Sequence, residues 1–369
     1  MKENENFLTE QIITYLGNKR SLLSFIGNSI RIVKKELKKD KITTFDVFSG
    51  SGVVSRYLKQ YSSILYCNDL EGYTYTINKC YLTNKSEIDE EELNKWFMYL
   101  TERLSDNQLK DDGFIRKLYS PAEDENIKEG ERVFYTSRNA KYIDTARQLL
   151  EQVPEPYKTL FLGPLLYEAS TKNNTSGVFK GFYKNSKTNR GQFGGNGKNA
   201  LNRIMANIEI KKPVLSNFEC EVHVLRGDSN DICKELPEVD LAYLDPPYNQ
   251  HPYGSNYFML NLINDYKEPK EVSKVSGIPV DWNKSNYNKK QEALNSLKQL
   301  CTDLKSKYIL ISFNSEGFIS FDDMVAMLKK LGKVKTFDKK YNVFRACRNL
   351  NNRDIHVVEH LFLLKKEET

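Results

Sequence analysis

The run Val239-Asp240-Leu241-Ala242-Tyr243-Leu244 reads as a short buried strand, and it ends abruptly in Asp245-Pro246-Pro247-Tyr248. This ending constrains the chain more than any other feature. Each proline fixes its own φ and donates no amide hydrogen, and Pro247 forces Pro246 into an extended conformation. The result is a stiff turn that gathers a carboxylate, the backbone carbonyl of Pro246 and an aromatic ring near one point. Such a set suits a flat base whose exocyclic amino group must be gripped by acceptors. The lone pair of that nitrogen is delocalised into the ring. Acceptors on its hydrogens favour a pyramidal nitrogen and stabilise the positive charge that grows there during attack. The ring of Tyr248 is suited to stacking on the base. A proline-stiffened surface turn would carry the same four residues, so the remainder of the chain has to decide.

Asp245-Pro246-Pro247-Tyr248 after an apolar strand resembles the catalytic motif of DNA N6-adenine methyltransferases. A second element lies upstream. Thr43 to Phe48 alternates and is rich in β-formers, Ser49-Gly50-Ser51-Gly52 follows, and Val53 to Gln60 is helical in character. Strand, glycine turn and helix bring a nucleotide-like ligand close to the backbone. Asp69 follows the next apolar stretch, Ile64 to Cys67, at a distance suited to binding ribose hydroxyls. The full G-x-G-x-x-G pattern and a phosphate-loop lysine are both absent, so the ligand need not carry phosphate, which fits S-adenosylmethionine. Phe48, Gly50 and Gly52 also resemble the cofactor-binding F-x-G-x-G motif of the same family.

Two further segments fit the resemblance. Tyr15 to Leu23 is similar to the family segment that binds the carboxylate end of the cofactor, with Lys19 as the matching residue and Tyr15 beside it. A solvated lysine is the plain alternative. Asp228 ends an alternating strand, Glu221 to Leu225. The resemblance places it near the cofactor adenine, and its position also suits an N-cap of a helix running toward Lys234. Asp245 is expected to border the cofactor as well as the base. His251, in the aromatic and amide-rich segment after the motif, is read as structural or DNA-facing, because an amine attacking a sulfonium needs no strong base beforehand.

The glycine turn precedes the catalytic tetrapeptide by more than half the chain. The family's alpha subgroup has this order, with a target-recognition region between the motifs. The expected fold is α/β, a Rossmann-like methyltransferase sheet, mostly parallel, flanked by helices and with an antiparallel last strand. Residues 1–74 and 211–369 would form the catalytic domain and 75–210 the inserted recognition region. Within the insert, Glu90–Arg103, Arg138–Gln152 and Thr159–Ser170 read as helices, and 105–130 as a polar surface excursion. After the motif, Tyr308–Phe313 reads as a strand, Gln291–Leu304 and Phe321–Leu331 as helices, and Val357–Leu364 as the last strand.

Net charge is only +6 over 369 residues, too little by itself to imply nucleic acid. Its distribution is more telling: from 172 to 206 there are seven basic residues and no acid. Lys180, Lys184, Lys187, Arg190 and Lys198 stand there among glycines, aromatics and amides such as Asn196. Cations suit phosphates and amides suit base edges, so this segment is the candidate contact to double-stranded DNA. A second basic loop holds Arg345, Arg348 and Arg353 with Asn349, Asn351 and Asn352.

The six cysteines lie far apart without a C-x-x-C pair, and the four histidines show no ligand spacing, so no metal is expected. No leader or membrane-spanning run is evident, which points to the cytoplasm. The resemblance implies a site-specific adenine methyltransferase using S-adenosylmethionine, in a restriction-modification or related setting, with a cognate endonuclease as a candidate partner. The rival readings are methylation of cytosine N4, RNA or a protein glutamine, and a non-catalytic DNA-binding subunit. Asp245 at the first motif position weighs against the former, and the intact motifs against the latter.

Overall fold

The computed structural model describes residues 2–342 and 356–367. Its strands are β1 (Ile42–Asp46), β2 (Ser62–Asp69), β3 (Glu221–Arg226), β4 (Val239–Leu244), β5 (Ser306–Asn314), β6 (Gly332–Asn342) and β7 (His356–Lys366). They form one seven-stranded sheet in the order β3-β2-β1-β4-β5-β7-β6. The five strands from β3 to β5 run parallel, and β7 is antiparallel to both β5 and β6. All six residues of β4 are buried, as expected for a central strand covered on both faces. On one face Leu241 and Tyr243 pack with Ile26, Ile30 and Val54 of the helices Leu23–Leu37 and Val53–Lys59. On the other, Ala242 and Leu244 pack with Leu297, Leu300 and Met324 of the helices Lys290–Asp303 and Phe321–Leu328. This is the α/β methyltransferase arrangement that the motifs imply.

Strand β6 is absent from the sequence reading. It carries Lys333, Lys335, Lys339 and Lys340 and, among the described residues, pairs only with β7. Lysines on an edge strand discourage pairing with another chain, and they also dilute the apolar alternation by which a strand is recognised. The 105–130 stretch is likewise not wholly a surface excursion. A short helix, Phe114–Tyr119, sinks Phe114, Ile115 and Tyr119 into the core.

The connection between β2 and β3 is the longest between consecutive strands among the described residues. Its helices Glu90–Arg103, Ser137–Leu150 and Tyr157–Thr171 share one apolar cluster with helices Gly72–Leu82 and Phe258–Asp265, through Ile77, Leu100, Ile143, Phe161, Leu165 and Phe258. Helix Gly72–Leu82 runs through the join at residue 75 and is continuous across it. No helix among the described residues is long and apolar enough to cross a membrane.

Candidate active site

Strands β1 and β4 are neighbours, with Asp46 beside Tyr243 in register. The strand order turns there, since β2 and β3 lie to one side and β5 to the other. In open α/β sheets the crevice beyond the carboxyl ends at that point is where ligands bind. The glycine turn leaves β1 and the Asp-Pro-Pro-Tyr turn leaves β4 into this crevice.

Gly50 and Gly52 adopt φ of +47° and +76°, a region that a side chain makes costly. The Gly50 amide donates to Asp69 Oδ2 at 2.8 Å and the Glu71 amide to Oδ1 at 3.0 Å. Burial raises the Asp69 pKa, and these amides oppose the shift. The two glycines differ in what they face. A Cβ on Gly50 would lie 2.9 Å from the Tyr15 ring, whereas one on Gly52 would lie 2.9 Å from Asn78 Oδ1. Gly50 borders the cleft; Gly52 stands behind its wall as the N-cap of helix Val53–Lys59. Gly52 therefore shapes the turn without lining the site.

The Tyr15 ring packs against Tyr253 and Tyr257, each centroid 4.8 Å away, and those two rings lie 6.0 Å from each other. The Leu16 amide donates to the Tyr257 hydroxyl at 2.7 Å, and the Tyr253 hydroxyl donates to the Leu16 carbonyl at 3.1 Å. This clamp fixes Gly17 at φ +73° and delivers Lys19 to the end of β4.

Lys19 Nζ lies 3.1 Å from Asp245 Oδ1 and 3.2 Å from Glu359 Oε1, with only 4% of the lysine side chain exposed. Burial acts against the ammonium, but the two carboxylates outweigh it and raise its pKa well above the ordinary value. Lys19 borders the cleft, yet its charge is already shared between two carboxylates. Lys19 is thus a partner of Asp245 as well as part of the cleft lining. Burial pushes the Asp245 pKa up to about 6, with Lys19 opposing and Glu359 adding to the rise. Pro247 and Tyr248 line the cleft, while Pro246 is buried. Tyr248 is braced from β5: its ring meets Phe313 edge-on at 6.4 Å, and its carbonyl accepts the Phe318 amide at 3.0 Å.

The opposite wall comes from residues that sequence reasoning passed over. Tyr287 meets Phe48 edge-on at 5.1 Å. Asn283 and Asn261 donate to Glu71 at 2.9 and 2.6 Å, and burial pushes the Glu71 pKa up to about 7. The 283–288 loop has no motif or periodicity to mark it; only its position across from Phe48 does so. Asp228 caps helix Ser229–Glu235 through the Asn230 amide at 2.8 Å, and it also lines the cleft. Phe48 and Tyr287 offer aromatic surface, and Asp69 and Asp228 offer acceptors. Among the described residues, Lys19 is the sole basic group in the lining, and it is engaged. A phosphate would find no free counter-charge there, whereas the uncharged ribose and base of S-adenosylmethionine fit this donor set.

The basic segment packs against the stretch that follows the Asp-Pro-Pro-Tyr turn. The Phe179 amide donates to the Asn256 carbonyl at 2.7 Å, and the His251 pKa is lowered by burial and by the charge of Lys180. Lys180, Lys187, Arg190 and Lys198 are exposed, and Lys184 is half-buried with its ammonium 5.2 Å from the Phe182 ring centroid. No ion pair joins any of the five to an acid among the described residues. The remaining cations serve the fold: Lys172 binds Glu168, and Arg203 binds the Thr171 carbonyl. Asn196 is also occupied, since its carbonyl accepts the Ser186 amide at 2.8 Å and its amino group donates to Ser186 Oγ at 2.7 Å. It holds the loop while staying exposed, with one N–H and one carbonyl lone pair beyond these bonds. The Arg345–Arg353 loop lies outside the described residues.

Comparison with known proteins adds the family. The pattern of the D12 class N6 adenine-specific DNA methyltransferases matches residues 15–327. The chain is 30% identical over 371 residues to the type II methyltransferase M.CviAII of Paramecium bursaria Chlorella virus 1, covering 96% of this chain and 99% of that protein. It is 28% identical over 364 residues to the type II methyltransferase M.NlaIII of Neisseria lactamica, covering 96% and 99%. The modification methylase StsI of Streptococcus sanguinis matches at 25% over 370 residues, where the chain spans 52% of that longer protein.

Proposed function

The chain belongs to the D12 class N6 adenine-specific DNA methyltransferases, and from that premise we propose how its residues divide the work. Asp245, Pro246 and Tyr248 receive an adenine extruded from double-stranded DNA, because its amino group is out of reach inside the stack. The observation that carries this reading is that Asp245 and the glycine turn open onto one cleft, with Asp245 held through a single oxygen. Oδ1 faces Lys19, and Oδ2 accepts no hydrogen bond among the described residues. Oδ2 and the Pro246 carbonyl accept the amino hydrogens, and the Tyr248 ring stacks on the base. Pro247 keeps the turn stiff. When bound, S-adenosylmethionine supplies a methyl group on a sulfonium centre. The nitrogen that accepts the methyl becomes positive and then loses a proton, for which Asp245 Oδ2 is the proposed acceptor. Sequencing of modified bases in a host expressing the protein should show N6-methyladenine in one sequence context. Methylation of cytosine alone, or none, would reject this assignment.

Phe48, Gly50, Asp69 and Asp228, with Tyr15 behind the turn, are proposed to hold the cofactor. Asp69 has one lone pair on each oxygen occupied by an amide, which leaves acceptor capacity for ribose hydroxyls. Asp69→Ala should weaken S-adenosylmethionine binding by roughly 1–3 kcal/mol, the scale of hydrogen bonds to a charged group. Calorimetry with unchanged affinity would remove Asp69 from the site.

Residues 75–210 are proposed as the recognition region, with 180–198 as its DNA-facing edge. Lys180, Lys184, Lys187 and Lys198 suit phosphates. Arg190 and Asn196 are the leading base readers. Lys187→Ala should weaken binding to all sequences and reduce the salt slope by about one. Arg190→Ala should relax discrimination at one base pair by roughly 1–3 kcal/mol. Titrations showing neither effect would move recognition elsewhere in the insert. The names of the relatives support a restriction-modification setting, with a cytoplasmic location and a cognate endonuclease as part of the proposal.

A further inference from the structure

Glu359 is fully buried on β7, in register with Asn314 of β5 and Lys339 of β6. A carboxylate at 0% exposure in a strand that otherwise packs Val357, Leu361 and Leu363 inward requires an explanation. Its partners are specific. Oε1 receives the Ser312 hydroxyl and lies 3.2 Å from Lys19 Nζ, and Oε2 receives the Tyr341 hydroxyl at 3.2 Å. Lys19 in turn lies 3.1 Å from Asp245 Oδ1. A relay of contacts thus runs from two hydroxyls on β5 and β6, through Glu359 and Lys19, to the carboxylate at the end of β4.

We propose that Glu359 is a positioning residue for methyl transfer: it anchors the Lys19 ammonium beside Asp245 Oδ1, which orients Asp245 and leaves Oδ2 to the target amino group. The proposal rests on the reading of Asp245 as the acceptor for that amino group. The physical argument is one of geometry and charge balance. A lysine on a flexible four-carbon stem, paired with Asp245 alone, would be free to swing over the carboxylate and compete for both of its oxygens. A second buried carboxylate on the far side holds the ammonium between them. It also withdraws part of the stabilisation that the cation gives Asp245, because two carboxylates now share one charge. The other charged or titratable groups near Asp245 are Asp46 at the end of β1, Tyr243 on its own strand, Tyr248 in its own turn and Tyr253 in the clamp. The carboxylic acid Asp46 has its own donor in Ser55 at 2.6 Å.

The test is the pH dependence of kcat in the full-length protein with S-adenosylmethionine and DNA. Lys19→Met removes the cation, so the acidic limb of the profile should move upward by roughly one to three pH units. Glu359→Gln keeps an acceptor for Lys19 and Ser312 but removes the competing charge, so the limb should move downward. A purely structural role would lower kcat without moving the limb, and that result in Glu359→Gln would overturn the proposal. If Glu359→Gln does not fold, as judged by its thermal melt, Tyr341→Phe replaces it. Loss of that donor leaves Glu359 a stronger competitor for Lys19, and the limb should rise; an unmoved limb again overturns the proposal. Asp245→Asn separates the two levels. If that variant keeps wild-type kcat, the underlying reading fails. If it is inactive while the Glu359 or Tyr341 variant leaves the limb in place, only the role of Glu359 fails.

Discussion

Asp245→Ala should leave a folded protein that still binds S-adenosylmethionine and DNA, with kcat reduced by about 10²-fold or more. The removed carboxylate accepts hydrogen from the target amine and supports charge that appears only as the methyl is transferred, so the loss falls on turnover. The fold should survive because Lys19 keeps Glu359 as a counter-charge 3.2 Å away, and no buried cation is orphaned. Single-turnover transfer of a tritiated methyl group measures the effect, and wild-type turnover would end the assignment. The same carboxylate sets a pH dependence. Its pKa is pushed up to about 6 by burial, and the ionised form is the one that stabilises positive charge. In the wild-type protein kcat should therefore be full above that value and fall as the pH drops through it.

Gly50→Val should abolish detectable binding of S-adenosylmethionine. The native φ of +47° is already unfavourable for a β-branched residue, by about 1–3 kcal/mol. In addition, the new Cβ would sit 2.9 Å from a Tyr15 ring that is packed against both Tyr253 and Tyr257. The turn has to shift, and with it goes the Gly50 amide that holds Asp69. Gly52→Val presses on Asn78 instead; it should lower the melting temperature more directly than it blocks the ligand. Calorimetry of both variants alongside thermal melts separates these outcomes, and undiminished affinity in Gly50→Val would place the cofactor elsewhere.

The motifs were legible because each is local. Apolar runs of strand length, a glycine pair that permits left-handed backbone, and a double proline that stops a strand all act on the residues that carry them. The strands from Thr43, Ile64, Glu221 and Val239 and the helices from Glu90, Arg138 and Gln291 follow from such patterns, each displaced by no more than two residues at its start. Strand β6 escaped because its lysines serve an edge and blur its period. Glu359 offered one clue, a lone acid within the apolar run from Val357 to Leu364, but an acid in such a place does not name its partner.

From the sequence alone came the catalytic turn, the glycine turn, the intervening insertion and, through their resemblance, the chemistry. The tertiary structure alone decided which groups those turns meet. Lys19 pairs with Asp245 and Glu359, Tyr15 is clamped by Tyr253 and Tyr257, Phe48 faces Tyr287, and Asn196 is tied to Ser186. Most of these pairs are brought together by the order of strands in the sheet and not by spacing along the chain. A side chain's charge and shape are local properties, but whether its charge is free or already neutralised depends on what folding places within a few ångströms of it, and local pattern carries no record of that.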